Sequence, residues 1–252
     1  MSDPETSPSR MTAPGRIVGI LGGMGPAATV DLFARIVNAT PAQADQEHLH
    51  ILIDNNPAVP DRTAAILAGG PDPLPLLQAG ARKLEAQGAN LIAIPCNTAH
   101  YYLPQLSPVV SCRVLDMIGE TAGAVREAYG TAVTVGILAT SGTLACGLYQ
   151  EALAEAGLNF LVPARGDVER LMQAVYGPAG VKAVGAGPES RSLLQQICRH
   201  LAVRGADVFL LGCTELPLVL QDGDVPWPLV ASNQVLAEAV VRAALDPSLP
   251  VG

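Results

Sequence analysis

The feature that most restricts how this chain can fold is an internal repeat held at a single spacing. Val18-Gly19-Ile20-Leu21 matches Val135-Gly136-Ile137-Leu138 at an offset of 117 (136 − 19). Gly88-Ala89-Asn90 and Gly205-Ala206-Asp207 keep that offset, and so do Cys96 and Cys213. One short match arises by chance in an alternating protein, whereas three in one register point to two halves built alike. Short apolar runs alternate with longer amphipathic stretches throughout. Ile17–Leu21, Leu49–Ile53, Leu91–Ile94, Thr134–Leu138 and Val208–Leu211 read as buried strands. Thr29–Asn38, Leu74–Gln87, Ile118–Tyr129, Ser141–Ala156, Ser190–Arg204 and Gln234–Ala244 have helical spacing. This order predicts an α/β fold of two pseudo-symmetric lobes, each a mostly parallel sheet flanked by helices, with a site in the cleft between them.

The expected division is a polar, Pro/Ser-rich tail at 1–14, read as disordered, a first lobe at 15–115 plus 229–252, and a second lobe at 116–228. The first lobe is discontinuous because the C-terminal helix is expected to pack back onto it. Composition narrows the partners. A net charge of -8 without a Lys/Arg cluster disfavours nucleic acid. No apolar run approaches the roughly 18 residues of a membrane span. The tail lacks the apolar stretch of a signal peptide, so the cytoplasm is the expected compartment. The five cysteines are odd in number and contain no Cys-x-x-Cys pair, so they read as reduced thiols without a metal motif.

Cys112, Cys146 and Cys198 are expected to be small buried hydrophobes. Cys96 and Cys213 differ, because each follows a strand at an equivalent place in its half. Ligands of open α/β sheets bind outside the carboxyl ends of the strands. Two like lobes facing each other therefore put one sulfur on each side of one cleft. Both segments read as strand-to-helix junctions, where backbone N–H groups would favour thiolate and bring the thiol pKa toward neutrality. Two opposed bases suit racemisation, in which a proton leaves one face of a carbon and another arrives on the opposite face.

Several segments then resemble, in order, the aspartate/glutamate racemase superfamily, and within it the pyridoxal-phosphate-independent aspartate racemases. They are Gly19-Ile-Leu-Gly-Gly-Met-Gly-Pro26, Asp45-Gln-Glu-His48, Asn55-Asn-Pro57, Pro60-Asp-Arg-Thr63, Pro95-Cys-Asn-Thr-Ala-His100 and Gly212-Cys-Thr-Glu215. The resemblance implies that Cys96 and Cys213 are the acid/base pair of an enzyme that interconverts L- and D-aspartate, glutamate remaining open, with no cofactor. It implies that Asn97, Thr98 and Thr214 hold the α-carboxylate, that Arg62 and Lys182 bind the side-chain carboxylate, and that Met24 and Ala99 complete the substrate-binding set. Glu215 and His100 are supporting residues: Glu215 either orients its neighbours or caps a helix, and His100 is either a structural histidine or a hydrogen-bond partner near the sulfur. A solvated Lys182 and an ion pair of Arg62 with Asp61 or another acid are the plainer alternatives. The implied partners are an acidic amino acid and a second copy of the chain.

Three rival readings stand beside this one. The Gly-rich turn at Gly22–Gly25, with Asp54 as a ribose ligand, resembles a dinucleotide fingerprint, although the spacing departs from G-x-G-x-x-G. A hydantoin racemase, maleate isomerase or arylmalonate decarboxylase type would share the lobes but not Pro-Asp-Arg-Thr. A non-catalytic acidic amino-acid binding protein would have no need of the second cysteine.

Overall fold

The computed structural model describes residues 16–246; the tail expected at 1–14 lies outside them. Among the described residues, eight strands form two four-stranded parallel sheets. β1 (Val18–Gly22), β2 (Ile51–Asn55), β3 (Leu91–Ala93) and β4 (Arg113–Val114) lie in the order β2-β1-β3-β4. β5 (Thr134–Leu138), β6 (Asn159–Leu161), β7 (Val208–Leu211) and β8 (Leu229–Ala231) lie in the order β6-β5-β7-β8. The helices are α1 (Pro26–Ala39), α2 (Arg62–Ala68), α3 (Leu74–Ala86), α4 (Leu103–Leu106), α5 (Met117–Tyr129), α6 (Ser141–Ala145), α7 (Leu148–Glu155), α8 (Arg165–Tyr176), α9 (Val181–Val184), α10 (Pro188–Val203) and α11 (Ser232–Leu245). None is long and apolar enough to cross a membrane among the described residues.

The repeat survives into three dimensions at the level of hydrogen-bonded register. Val18 pairs with Leu91 and Val135 pairs with Val208, so both partners shift together by the offset of the sequence repeat. Small residues explain why the motif contains glycine. A Cβ on Gly19 would lie 3.1 Å from Ala89 Cβ, and one on Gly136 would lie 3.2 Å from Ala206 Cβ. In each lobe the first strand thus packs closely against the turn that leads into the third. Gly88 and Gly205, which end the helices before those turns, share a φ of 99°, a conformation that costs glycine little.

The last helix of each half crosses to the other lobe. α5 follows the first sheet, yet Ile118, Ala122 and Val125 pack with Val135, Ile137, Val208 and Leu210 of the second. α11 follows the second sheet and buries Leu236, Ala239, Val240 and Val241 against Val18, Ile20, Leu32 and Ile36 of the first. Through this exchange α11 packs on the first sheet, and one expected boundary moves. Leu229–Ala231 pairs with β7, so the chain returns to the first lobe at Ser232 and not at Leu229.

Two further expectations need correction. The helix expected over Ser141–Ala156 is interrupted at Gly147, whose φ of 71° breaks the helical path between α6 and α7. The helix starts expected after both cysteines open as 3-10 turns: Thr98–Tyr102, which runs on into the four residues of α4, and Leu216–Leu218, which is too short to carry a useful macrodipole.

Candidate functional site

Four loops at the carboxyl ends of the strands converge between the lobes. Those after β1 and β3 bring Met24 and Cys96-Asn97-Thr98, and those after β5 and β7 bring Thr140 and Cys213-Thr214-Glu215. With Arg62 from α2, Tyr176 from α8 and Lys182 from α9 they line one cavity. β1 and β3, like β5 and β7, are the neighbouring strands from which the chain departs in opposite directions, and crevices open at such points. The cavity has a free volume of about 10 Å³, room for about one water, so an amino acid requires the walls to part. A wider open cleft of about 440 Å³ beside Arg35 and Gln221 contains neither cysteine.

Both sulfurs are nearly enclosed, Cys96 at 6% exposure and Cys213 at 7%. Among the other cysteines, burial raises Cys112 to about 11 and Cys198 to about 12, in keeping with inert packing, while Cys146 is half-buried.

Arg62 is the first residue of α2, and the Asp61 carboxylate caps that helix by accepting from Ala64 N–H, so Asp61 is not its ion-pair partner. Arg62 donates to backbone carbonyls: Nη1 to Pro60 O at 2.9 Å and Nη2 to Met24 O at 2.7 Å. Its buried Nε has no hydrogen-bond partner, which leaves an open donor for an incoming oxygen. Lys182 is not a solvated surface lysine. Nζ bonds Glu215 Oε1 at 2.7 Å and Met24 O at 3.2 Å, and it lies 5.4 Å from the centre of the Tyr176 ring. A Cβ on Gly25 would come within 3.2 Å of Glu215 Oε1, so the glycine loop of the first lobe lets this ion pair reach across.

The polar residues tie the lobes together. Asn97 Nδ2 donates to Ser232 Oγ at 3.1 Å, and its Oδ1 accepts from Tyr149. Thr214 Oγ1 donates to Pro95 O at 3.2 Å from the other side. Thr98 Oγ1 joins Thr140 Oγ1 at 3.2 Å and Thr143 Oγ1 at 2.8 Å, a cluster of three hydroxyls spanning the cleft. Ala99 is packed in the core beside Leu106 and does not line the cavity; its N–H is used by Cys96 O. His100 lies outside the cavity as well. Its Nδ1 donates to Cys96 O at 2.9 Å while Nε2 accepts from Met117 N–H at 3.1 Å, an arrangement that only the neutral ring can satisfy. Burial lowers its pKa accordingly, outweighing the neighbouring carbonyls.

The glycine turn serves packing within the lobe. A Cβ on Gly22 would meet Thr29 at 2.5 Å, and Gly23, at φ 97°, lies against the backbone of Asn56. Asp54 is held by Lys83 at 2.6 Å. Neither supports the dinucleotide reading.

Residues 21–240 match the family described as Asp/Glu/Hydantoin racemase. The chain belongs to this family. It is 27% identical over 237 residues to the broad specificity amino-acid racemase RacX of Bacillus subtilis (strain 168), covering 91% of this chain and 98% of that one. It is similar to the solved aspartate racemase of Picrophilus torridus, with a TM-score of 0.79, 29% identity, and coverage of 91% and 94%. A glutamate racemase of Bacillus anthracis, at 20% identity and a TM-score of 0.60 over 90% of this chain and 81% of that one, shares the fold.

Within this racemase the charges are arranged unequally about the sulfurs. Burial works against the charge of Arg62, but Cys96, Tyr176 and Asp61 together outweigh it and hold the guanidinium above its ordinary value. Cys213 Sγ instead donates to Glu215 Oε2 at 3.1 Å. Burial and the Glu215 charge push that thiol well above its usual range, opposite to the lowering expected from a helix start. Burial works against the charge of Lys182, but Glu215 first, with Cys213 and Cys96, outweighs it and raises the ammonium above its ordinary value, so it stays charged. Burial also raises the Tyr176 phenol, which stays neutral.

Tyr176 and the Thr140–Thr143 pair were not marked as candidates from the sequence. The repeat contains a signal for Thr140: the offset that relates Cys213 to Cys96 relates Thr140 to Gly23, in the turn before Met24. Tyr176 ends a largely polar helix, and no motif marks it.

Proposed function

We propose that the protein interconverts L- and D-aspartate by two-base proton transfer between Cys96 and Cys213, without pyridoxal phosphate. The observation that carries the reading is that both sulfurs, from equivalent strand ends of opposed lobes, line one cavity with two cations. One sulfur removes the α-proton and the other delivers a proton to the opposite face of the planar intermediate. Arg62 takes the side-chain carboxylate through its unpaired Nε–H, where a charge-assisted bond is strong because the site is dry. Asn97 and Thr214 already have inter-lobe partners, so their share in holding the α-carboxylate requires those bonds to rearrange as the cleft opens. Thr98 and Thr140, which line the cavity, offer neutral hydroxyl donors in their place.

A second reading, acceptance of several amino acids, is favoured by the name of the Bacillus subtilis relative and by the pairing of Lys182 with Glu215. That pairing leaves Arg62 as the cation of the cavity wall without an acidic side chain bonded to it, a weaker demand for a second carboxylate.

The test is deuterium incorporation from D2O into L- and D-aspartate, alanine and glutamate with no added pyridoxal phosphate. Exchange at the α-carbon of aspartate from both enantiomers is the expected result. Equal exchange by a double Cys96→Ala, Cys213→Ala protein would remove the two-cysteine mechanism, and faster turnover of alanine than of aspartate would select the broader specificity.

A further inference from the structure

The two sulfurs occupy matching places in the repeat but have unlike neighbours. Counting from the cysteines, Asn97 matches Thr214 and Thr98 matches Glu215. A neutral hydroxyl therefore stands in one lobe where a carboxylate stands in the other. The carboxylate is engaged at both oxygens: Oε2 accepts from Cys213 Sγ at 3.1 Å and Oε1 from Lys182 Nζ at 2.7 Å. Glu215 is 4% exposed, and it is the acidic side chain among the cavity-lining residues.

We propose that Glu215, clamped by Lys182, is a positioning residue that keeps Cys213 as the thiol of the resting enzyme, so that Cys96 beside Arg62 is the sulfur that starts as thiolate. This rests on the two-base reading above and adds the order in which the sulfurs act. The geometry carries it: a carboxylate 3.1 Å from sulfur needs a proton between them, and a thiolate there would place two anions in contact in a buried site. The groups facing Cys213 are Glu215, Lys182 from α9, Tyr176 from α8 and Tyr149 from α7, with Cys96 and Arg62 across the cavity. Both tyrosines are held neutral by burial, and Lys182 is committed to Glu215, so the carboxylate governs the sulfur.

From this resting state the Cα–H bond breaks as a proton passes to Cys96, and the Cys213 S–H bond breaks as its proton joins the opposite face of Cα. The sulfurs are then reversed, Cys96 as thiol and Cys213 as thiolate beside Glu215. Water returns the enzyme to rest by giving a proton to Cys213 and accepting one from Cys96. Nothing is oxidised or reduced.

Racemisation has an equilibrium constant of one, so kcat/KM is the same for both enantiomers and cannot report the order; its pH dependence can. The alkaline limb of kcat/KM follows loss of the Cys213 proton in the free enzyme. Glu215→Gln removes the anion while keeping the shape, and should move that limb to lower pH by at least about one unit. Glu215→Asp should restore most of the shift. A folded Glu215→Gln protein whose alkaline limb stays in place overturns the proposal. The parent protein supplies an arm that needs no variant: iodoacetamide alkylation followed site by site in mass spectra should reach half its maximal rate at a lower pH for Cys96 than for Cys213, and the reverse order also overturns it. A parent that alkylates in the expected order yet exchanges no α-hydrogen would instead sink the racemase chemistry on which the proposal stands.

Discussion

In the turn that follows β3 the first lobe presents Cys96, Asn97 and Thr98; in the turn that follows β7 the second presents Cys213, Thr214 and Glu215. The backbones answer each other, with the same strand register and the same positive-φ glycine before each strand. Their surroundings do not. Cys96 shares its cavity wall with the Arg62 guanidinium, whereas Cys213 donates to a carboxylate. Repetition of the backbone brings two sulfurs from opposed lobes to one cavity, which is the geometry that the proposed two-base transfer requires. Departure from the repeat in the side chains gives the two thiols unlike charged neighbours, and on the proposal above that difference separates the acid from the base.

The largest break in this comparison is removal of either sulfur. Cys96→Ala and Cys213→Ala should each lower racemisation by at least about 10³-fold, within the range for a lost acid/base group. The serine variants sharpen the contrast, because a weak acid can replace a thiol better than a weak base can. Cys213→Ser should retain slow α-hydrogen exchange with one enantiomer and Cys96→Ser far less with the other, read by deuterium content of each enantiomer separately. Equal residual exchange in both serine variants would mean that the two sites are chemically alike.

Arg62 comes next. Its Nη atoms are committed to Met24 and Pro60 carbonyls, so Arg62→Ala costs both the substrate contact and some order in the glycine loop. Loss of a charge-assisted bond in a dry site predicts a fall of about 10- to 100-fold in kcat/KM for aspartate. Alanine, which lacks the second carboxylate, should lose much less. Parallel losses for the two substrates would show that Arg62 serves Cys96 and the loop without gripping the side-chain carboxylate.

The lobe contact offers a smaller perturbation. A Cβ on Gly142 of α6 would lie 2.6 Å from Thr63 Oγ1 and 3.0 Å from Thr63 Cα on α2, where the lobes meet. Gly142→Ala should destabilise the protein by roughly 1–3 kcal/mol through overpacking, seen as a lower Tm. Gly123, in α5, has open space about its missing Cβ and is the control: Gly123→Ala should leave Tm unchanged or raise it slightly.

Much of this arrangement was legible because the repeat is carried by residues with steric duties. Gly19 and Gly136 are required by close neighbours, and the paired cysteines sit at sheet ends where function collects, so register, lobes and cleft could be read together. β4, β6 and β8 could not, since two or three residues are too few to establish alternation. α8 was not marked, although Val168, Leu171, Met172 and Val175 keep helical spacing, because charged residues and a glycine fill its first turns. The acidity of Cys213 was misread for a different reason. It was argued from the end of a helix, but only a short 3-10 turn forms, and a carboxylate two residues along the chain decides the matter for Cys213. Side-chain partners across a cleft leave no periodic trace in a sequence.

His100 supplies the smallest expected effect, and a comparison of lobes at its simplest, since the matching position of the second lobe is Pro217, which cannot titrate. His100 is held neutral, with Nε2 occupied by Met117 N–H and Nδ1 spent on the Cys96 carbonyl, and burial depresses its pKa. Below the ordinary value of about 6.5 the unfolded chain takes up a proton that the folded protein refuses, so stability is lost as pH falls through that value and is flat in this respect above it. The slope from one such group is at most about 1.4 kcal/mol per pH unit. Urea unfolding between pH 5 and pH 7 should therefore show a shallower pH dependence in His100→Gln than in the parent, even though the variant is less stable at pH 7 for want of the bond to Cys96 O. If the two slopes coincide, the ring accepts a proton in the folded state and the Cys96 turn is held by something other than a neutral histidine.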